Sequence, residues 1–216
     1  MNFDRIARYY RWLEMVTFGT VLQKARIRWI KEIPAPKQVL ILGEGDGRFL
    51  HEFLRVHLSA DVQCVDSSEH MLKLAEERVS KLFPHALRRV RFLREDIVSW
   101  SPPDSYDLLV VNFVLDCFPK NELNLIVRKL AQTAAPKAYL LLSEFSIPDK
   151  PLARVHARTW LAVMYWFFRT ATGIRANRLS DPTTELEANG FVCLARSQWR
   201  LGLVKSELWQ RRNALT

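Results

Sequence analysis

The chain has 216 residues, 49% of them hydrophobic and 25% charged, with a formal charge of +9. That composition excludes a disordered or fibrous chain and fits a single globular domain, 1–216, with a well-filled core. Cys64, Cys117 and Cys193 are scattered without ligand spacing, which argues against a disulfide framework or a metal site and favours a reducing, cytoplasmic compartment.

Residues 3–32 read as helix, with Ile6, Tyr9, Tyr10, Leu13 and Val16 on one face, a helical cap (1–36) over whatever the following strand holds. Its opening residues, with Asp4, Arg5, Arg8 and Arg11, lack the apolar core of a signal peptide. Phe18-Gly19 interrupts the pattern, 21–30 resumes it as a basic helix, and Pro34-Ala35-Pro36 closes it. The next stretch organises the chain. Val39 to Leu42 form a short apolar run suited to a strand buried on both faces, and Gly43, Gly45 and Gly47 alternate with Glu44 and Asp46 before a helix expected over 46–57. Strand, glycine turn and helix make the first crossover of a nucleotide-binding sheet. The dinucleotide fingerprint requires a small residue where Arg48 stands. Glu44 and Asp46 would also repel a pyrophosphate, whereas an adenosyl sulfonium cation suits an acidic loop.

Strand two, 62–65, ends in Asp66, 23 positions after Gly43, where a carboxylate can accept from ribose hydroxyls; Ser67 stands beside it and the Ser67-Ser68 pair caps the next helix. Strand three, 90–93, leads to Asp96 and Ile97, an acid for an adenine amino group and an apolar side chain for its ring. Strand four, 108–113, delivers Asn112 and then Asp116 to the sheet's carboxyl edge, with Asn121 expected to cap the following helix. Strand five, 138–145, carries Glu144. An inserted helix over 152–171 follows, apolar all round from Trp160 to Phe168 and bracketed by Arg154, Arg158 and Arg169; the run is too short to span a bilayer. A short helix at 185–189, ended by Gly190, precedes an antiparallel pair at 191–194 and 202–209.

With these features in place the chain resembles the class I S-adenosylmethionine-dependent methyltransferases over residues 1–210. Phe3-Asp4-Arg5-Ile6-Ala7 with Tyr9-Tyr10 is similar to the N-terminal lid of their quinone- and phospholipid-methylating branch, the type 11/25 kind. The resemblance implies an α/β, Rossmann-like doubly wound sheet of seven strands with an antiparallel C-terminal hairpin. It also implies S-adenosylmethionine as cofactor, held through Gly43, Glu44, Gly45, Gly47, Asp66, Ser67, Asp96, Ile97 and Asn112. One position departs from the family pattern: Ile41 stands where an acid usually supports the methionine ammonium, and Glu44 is the nearest substitute.

A sulfonium methyl group is already activated, so a base is needed only when the acceptor must lose a proton. Asp116, Glu144, His156 and Tyr10 are the candidates on the expected face. The inserted helix and its arginines favour a small hydrophobic, lipid- or quinone-like or aromatic acceptor and peripheral contact with an anionic membrane; a second subunit would cover the same surface. The positive charge alone supports an RNA-directed enzyme, and Ile41 motivates a non-catalytic scaffold on the same fold.

Overall fold

The computed structural model describes residues 18–103, 105–148, 150–151, 154–155, 157–161 and 179–212. The expected cap helix before Phe18, with Tyr10, lies outside them, as do residues 152, 153, 156 and 162–171 of the expected inserted helix, His156 among them.

Seven strands lie in one sheet, β1 (Gln38–Leu42), β2 (Asp61–Asp66), β3 (Val90–Arg94), β4 (Tyr106–Asn112), β5 (Ala134–Phe145), β6 (Phe191–Trp199) and β7 (Val204–Arg211), in the spatial order β3-β2-β1-β4-β5-β7-β6. The pairs among β3, β2, β1, β4 and β5 are parallel, and β7 runs antiparallel to both β5 and β6. The helices are α1 (Val21–Ile27), α2 (Arg48–Val56), α3 (Glu69–Leu82), α4 (Lys120–Thr133) and α5 (Thr183–Ala188).

The central strands are near-continuous apolar runs because both faces are covered. Leu40, Leu42, Val111, Leu140, Leu142 and Trp209 pack towards the α4 side chains Leu123, Ile126, Val127 and Leu130. The alternate residues Val39, Ile41, Val110, Leu141 and Leu208 pack towards Phe49, Leu50, Phe53 and Leu54 of α2. A third cluster, with Phe18, Leu22, Ala25, Phe145, Leu161, Leu203 and Val204, fills the carboxyl end of β5 and the adjoining start of β7. The start of β1 is fixed by Asp107, whose carboxylate accepts from the Lys37 and Gln38 amides at 2.8 and 3.1 Å.

Several expected boundaries move. The basic helix at 21–30 stops at Ile27 and gives way to a 3-10 turn, Ile30–Glu32. Asn121 is not the cap: α4 starts two residues earlier than expected, at Lys120, with Pro119 in the capping position, because the fixed φ of proline already sets the helical entry. β5 begins at Ala134, directly after α4, and its early residues Pro136 and Lys137 are exposed, so no apolar run announced them. β6 likewise extends to Trp199 because its outward residues alternate with half-buried ones. Ser68 caps α3 as expected, accepting from the Met71 amide at 3.2 Å, and Gly190 ends α5 in the left-handed region at φ 84°.

The glycine turn is the tightest part of this frame. Gly47 caps α2 at φ 81°, and a Cβ there would lie 2.8 Å from the Ala75 Cα of α3. Backbone cannot yield as a side-chain tip can, and an L-residue is strained at this φ. Gly47→Ala is therefore expected to destabilise the fold by roughly 2–4 kcal/mol, read as a lower urea midpoint with unchanged m-value. An unchanged midpoint would show that α2 and α3 can part at no cost.

Candidate functional site

The carboxyl ends of β1, β2 and β4 meet where the strand order reverses, the usual crevice of an open α/β sheet. Gly43, Gly45 and Gly47 all have positive φ. A Cβ on Gly43 would strike Val114, and one on Gly47 would strike Ala75, whereas one on Gly45 would meet nothing within 4 Å. Of the three glycines in the loop, only Gly45 leaves open room for a ligand against the backbone. Asp66 is tied to that point: its Oδ2 accepts from the Gly45 amide at 3.1 Å and its Oδ1 from the Ser68 amide at 2.9 Å. A carboxylate oxygen has a second lone pair, so these bonds orient the group and leave it able to accept from a ligand hydroxyl.

The two loop acids are occupied differently from what an open acidic loop implies. Asp46 pairs with Arg48 at 2.9 Å and with Arg78 at 3.1 Å, so its charge is compensated inside the protein. Glu44 turns under α2 and accepts from the Leu50 amide at 2.9 Å, while its second oxygen is buried without a hydrogen-bond partner. Burial raises its pKa to about 8, with Asp46 and Asp66 adding to the rise and Arg26 opposing it. Arg26, on α1, also lies 5.2 Å from the centre of the Phe113 ring, which places a guanidinium between the glycine loop and the end of β4. Ile41 is fully buried in the core and supplies no charge.

Asn112, at the end of β4, is buried, and neither its oxygen nor its nitrogen finds a partner among the described residues. An unpaired buried amide costs on the order of 1–3 kcal/mol, so this side chain is poised for a ligand. Beside it Phe113 has a left-handed backbone, φ 58°, unusual for a bulky residue and concentrated at functional sites. Its ring belongs to an aromatic cluster: Phe113–Phe145 at 5.3 Å, Phe145–Phe18 at 5.2 Å and Phe18–Trp160 at 6.1 Å.

Asp116 and Glu144 are brought together at the same edge, both buried. The Leu115 amide donates to Glu144 at 3.1 Å. Burial raises the pKa of Asp116 to about 6, and burial together with the Asp116 charge raises Glu144 well above the ordinary carboxylate range. Burial and mutual repulsion thus favour one proton held between the two acids over two bare carboxylates. Behind it, Lys205 of β7 is buried and bonded to Asp181 at 3.1 Å and Glu207 at 3.3 Å, with Arg196 on Glu207 at 2.6 Å. Lys205 and Glu207 alternate along a strand like solvent-facing charges, and nothing local in the sequence marks them as buried.

Of the other expected residues, Ser67 is exposed next to Asp66. Asp96 is exposed and closes its own turn by accepting from the Val98 amide at 2.9 Å, while Ile97 is half-buried against the core. The ends of β2 and β3 are joined by the Glu95 amide donating to the Asp66 carbonyl at 3.1 Å, so Asp66 and Asp96 border one crevice.

Residues 39–137, which contain the glycine loop, Asp66, Asp96 and Asp116, match the family model of the methyltransferase domain. This stretch, just under half of the chain, is similar to a methyltransferase domain. Solved structures agree at the level of fold. An O-methyltransferase family protein from Burkholderia thailandensis superposes with a TM-score of 0.71 at 16% identity, covering 99% of this chain and 63% of that one. The magnesium protoporphyrin IX methyltransferase of Synechocystis PCC 6803, with bound S-adenosylhomocysteine, gives 0.68 at 19% identity, covering 97% and 96%. The N-methyltransferase NodS of Bradyrhizobium japonicum, also in complex with S-adenosylhomocysteine, gives 0.65 at 16% identity over 90% and 88%. The chain thus spans less than two thirds of the Burkholderia protein but most of the other two. No curated protein matches by sequence. The sheet ends in the antiparallel β5-β7-β6 arrangement expected of the class I fold. Among the described residues no helix is long and apolar enough to cross a membrane.

Proposed function

We propose that the chain is an S-adenosylmethionine-dependent methyltransferase acting on a small, hydrophobic acceptor. The observation that carries the cofactor half is the open face of Gly45 held beside the Asp66 carboxylate. In this reading Asp66 accepts from the ribose hydroxyls, with Ser67 beside it, and Asp96 and Ile97 border the adenine. Arg26 meets the cofactor carboxylate. Glu44 and Asn112 offer acceptors for the ammonium. The cofactor supplies an activated methyl group; the chain binds it, orients it and excludes water.

The acceptor half rests on the wall of Phe18, Phe113, Phe145 and Trp160 beside Asp116 and Glu144. An apolar wall with one ionised carboxylate suits an aromatic or lipid-like molecule whose hydroxyl or amine loses a proton as it accepts the methyl group. Asp116 takes that proton, with Glu144 next to it. We assign no role to Tyr10 or His156, which lie outside the described residues, and the apolar face expected at Trp166 and Phe167 lies there too.

Labelled methyl groups from S-adenosylmethionine should enter the organic phase of a fractionated cell extract. The rate should rise as pH passes about 6, following the ionisation of Asp116. Asp116→Asn should lower that rate about 100-fold or more and remove the rise. Label confined to RNA would favour the nucleic-acid reading, and cofactor binding without transfer to any fraction would favour a scaffold.

A further inference from the structure

The turn between β6 and β7 has an unusual backbone. Arg200, Leu201 and Gly202 are consecutive left-handed residues, at φ 53°, 58° and 92°. Glycine adopts this region without strain, but leucine does not. The effect is to thrust the Leu201 side chain outward, where it is 79% exposed, the most exposed large hydrophobic residue described.

The segment after β5 is pinned against this turn. The Ser146 amide donates to the Leu203 carbonyl at 2.8 Å and its hydroxyl to the Gly202 carbonyl at 2.5 Å. A Cβ on Gly202 would lie 2.9 Å from Pro148. The Arg154 guanidinium in turn donates to the Pro148 carbonyl at 3.3 Å. Two more exposed apolar residues therefore belong to the same end of the molecule, Ile147 and Val155, at 40% and 66% exposure. Lys150, Arg158 and Arg200 are exposed around them, with Asp149 beside Lys150 in the sequence. β7 begins opposite the last residue of β5, Val204 against Phe145, so this knuckle lies at the carboxyl end of the parallel strands, the end that carries the site.

We propose that Leu201, Ile147 and Val155, with Lys150, Arg158 and Arg200, dock the enzyme on an anionic membrane surface. Separate apolar tips between basic residues with hydrocarbon stems fit a lipid interface: the tips enter the acyl boundary and the cations meet headgroup phosphates. Leu201 has no aromatic face on which a nucleic-acid base could stack. The proposal deepens the apolar-acceptor reading and rests on it for its purpose, since docking turns the site's end of the sheet towards the phase that holds such an acceptor.

The test is co-sedimentation of the full chain with vesicles of phosphatidylcholine alone or mixed with phosphatidylglycerol, alongside calorimetry with S-adenosylhomocysteine. The wild type should pellet with the mixed vesicles, more weakly as salt rises. Leu201→Asn suits the left-handed backbone better than leucine, so it should fold at least as well, yet it should lower vesicle affinity about tenfold. Arg200→Glu should weaken binding and flatten its salt dependence, and both variants should keep wild-type cofactor affinity. A wild type that ignores mixed vesicles, or variants that bind them equally well, would overturn the proposal. So would a wild-type dimer that Leu201→Asn converts to monomer without any change in pelleting. Failure here with intact transfer to a solubilised apolar acceptor would remove the membrane surface alone; loss of apolar-acceptor transfer itself would remove the reading beneath it.

Discussion

Asp66→Ala is expected to lower affinity for S-adenosylhomocysteine about 10- to 150-fold, the equivalent of losing a charge-assisted acceptor of about 1.5–3 kcal/mol. The substitution removes two things at once, the group offered to the ribose and the anchor that holds the Gly45 amide. Asp66→Asn separates them, because its oxygen can still accept from one of the two backbone amides while the charge is gone. Calorimetry should rank wild type above Asn and Asn above Ala. Unchanged affinity in Asp66→Ala would remove Asp66 from the cofactor site, and selective binding of a nicotinamide dinucleotide would overturn the cofactor assignment as a whole.

Glu44→Gln should stabilise the ligand-free protein at alkaline pH. The folded-state pKa of about 8 lies above the ordinary 4.5, so between these values the folded protein holds a proton that the unfolded chain has lost. Stability therefore falls as pH rises from about 4.5 towards 8 and levels off above that, with no loss below 4.5. The substituted amide keeps an oxygen for the Leu50 amide and has no charge to bury. Urea titrations should show the wild type losing on the order of 4–5 kcal/mol across this window relative to the variant. Parallel pH profiles for the two proteins would place Glu44 in a wetter setting than its burial indicates. In the presence of cofactor the order should change: the same substitution should weaken S-adenosylmethionine more than its neutral thioether product, and equal losses would mean that the carboxylate serves α2 alone.

Much of this arrangement was legible in the sequence. The apolar runs of β1 and β4, the alternating glycines and the spacing to Asp66 are local signals, and each led to the right element. Ser68 as a cap and Gly190 as a terminator were equally local. What escaped depends on residues distant in the chain. Asp46 reads as an open acid until Arg78, on the next helix, reaches it. Glu44 reads as an open acid until the turn ties one of its oxygens to the Leu50 amide. Arg26 looked like one charge in a basic helix until the fold set it over Phe113. Lys205 and Glu207 carry no local mark of burial, and only the pairing of their strand with β5 and β6 buries them. Periodicity reports which face of an element is apolar; it carries no information about a polar group whose partner arrives from another element.

The position of β7 has a consequence for how the chain is made. β7 lies between β5 and β6 although it follows both, so β6 pairs with no strand except one that has yet to be synthesised. While translation passes residues 191–203, the long edge of β5 is bare and β6 has only a hairpin partner to wait for. An unpaired edge of that length is a template for association with other chains. The last residues of the sheet, Val204–Arg211, thus seal it from both sides in one step, and the interval before they emerge from the ribosome is when a nascent chain depends most on being kept apart from its neighbours.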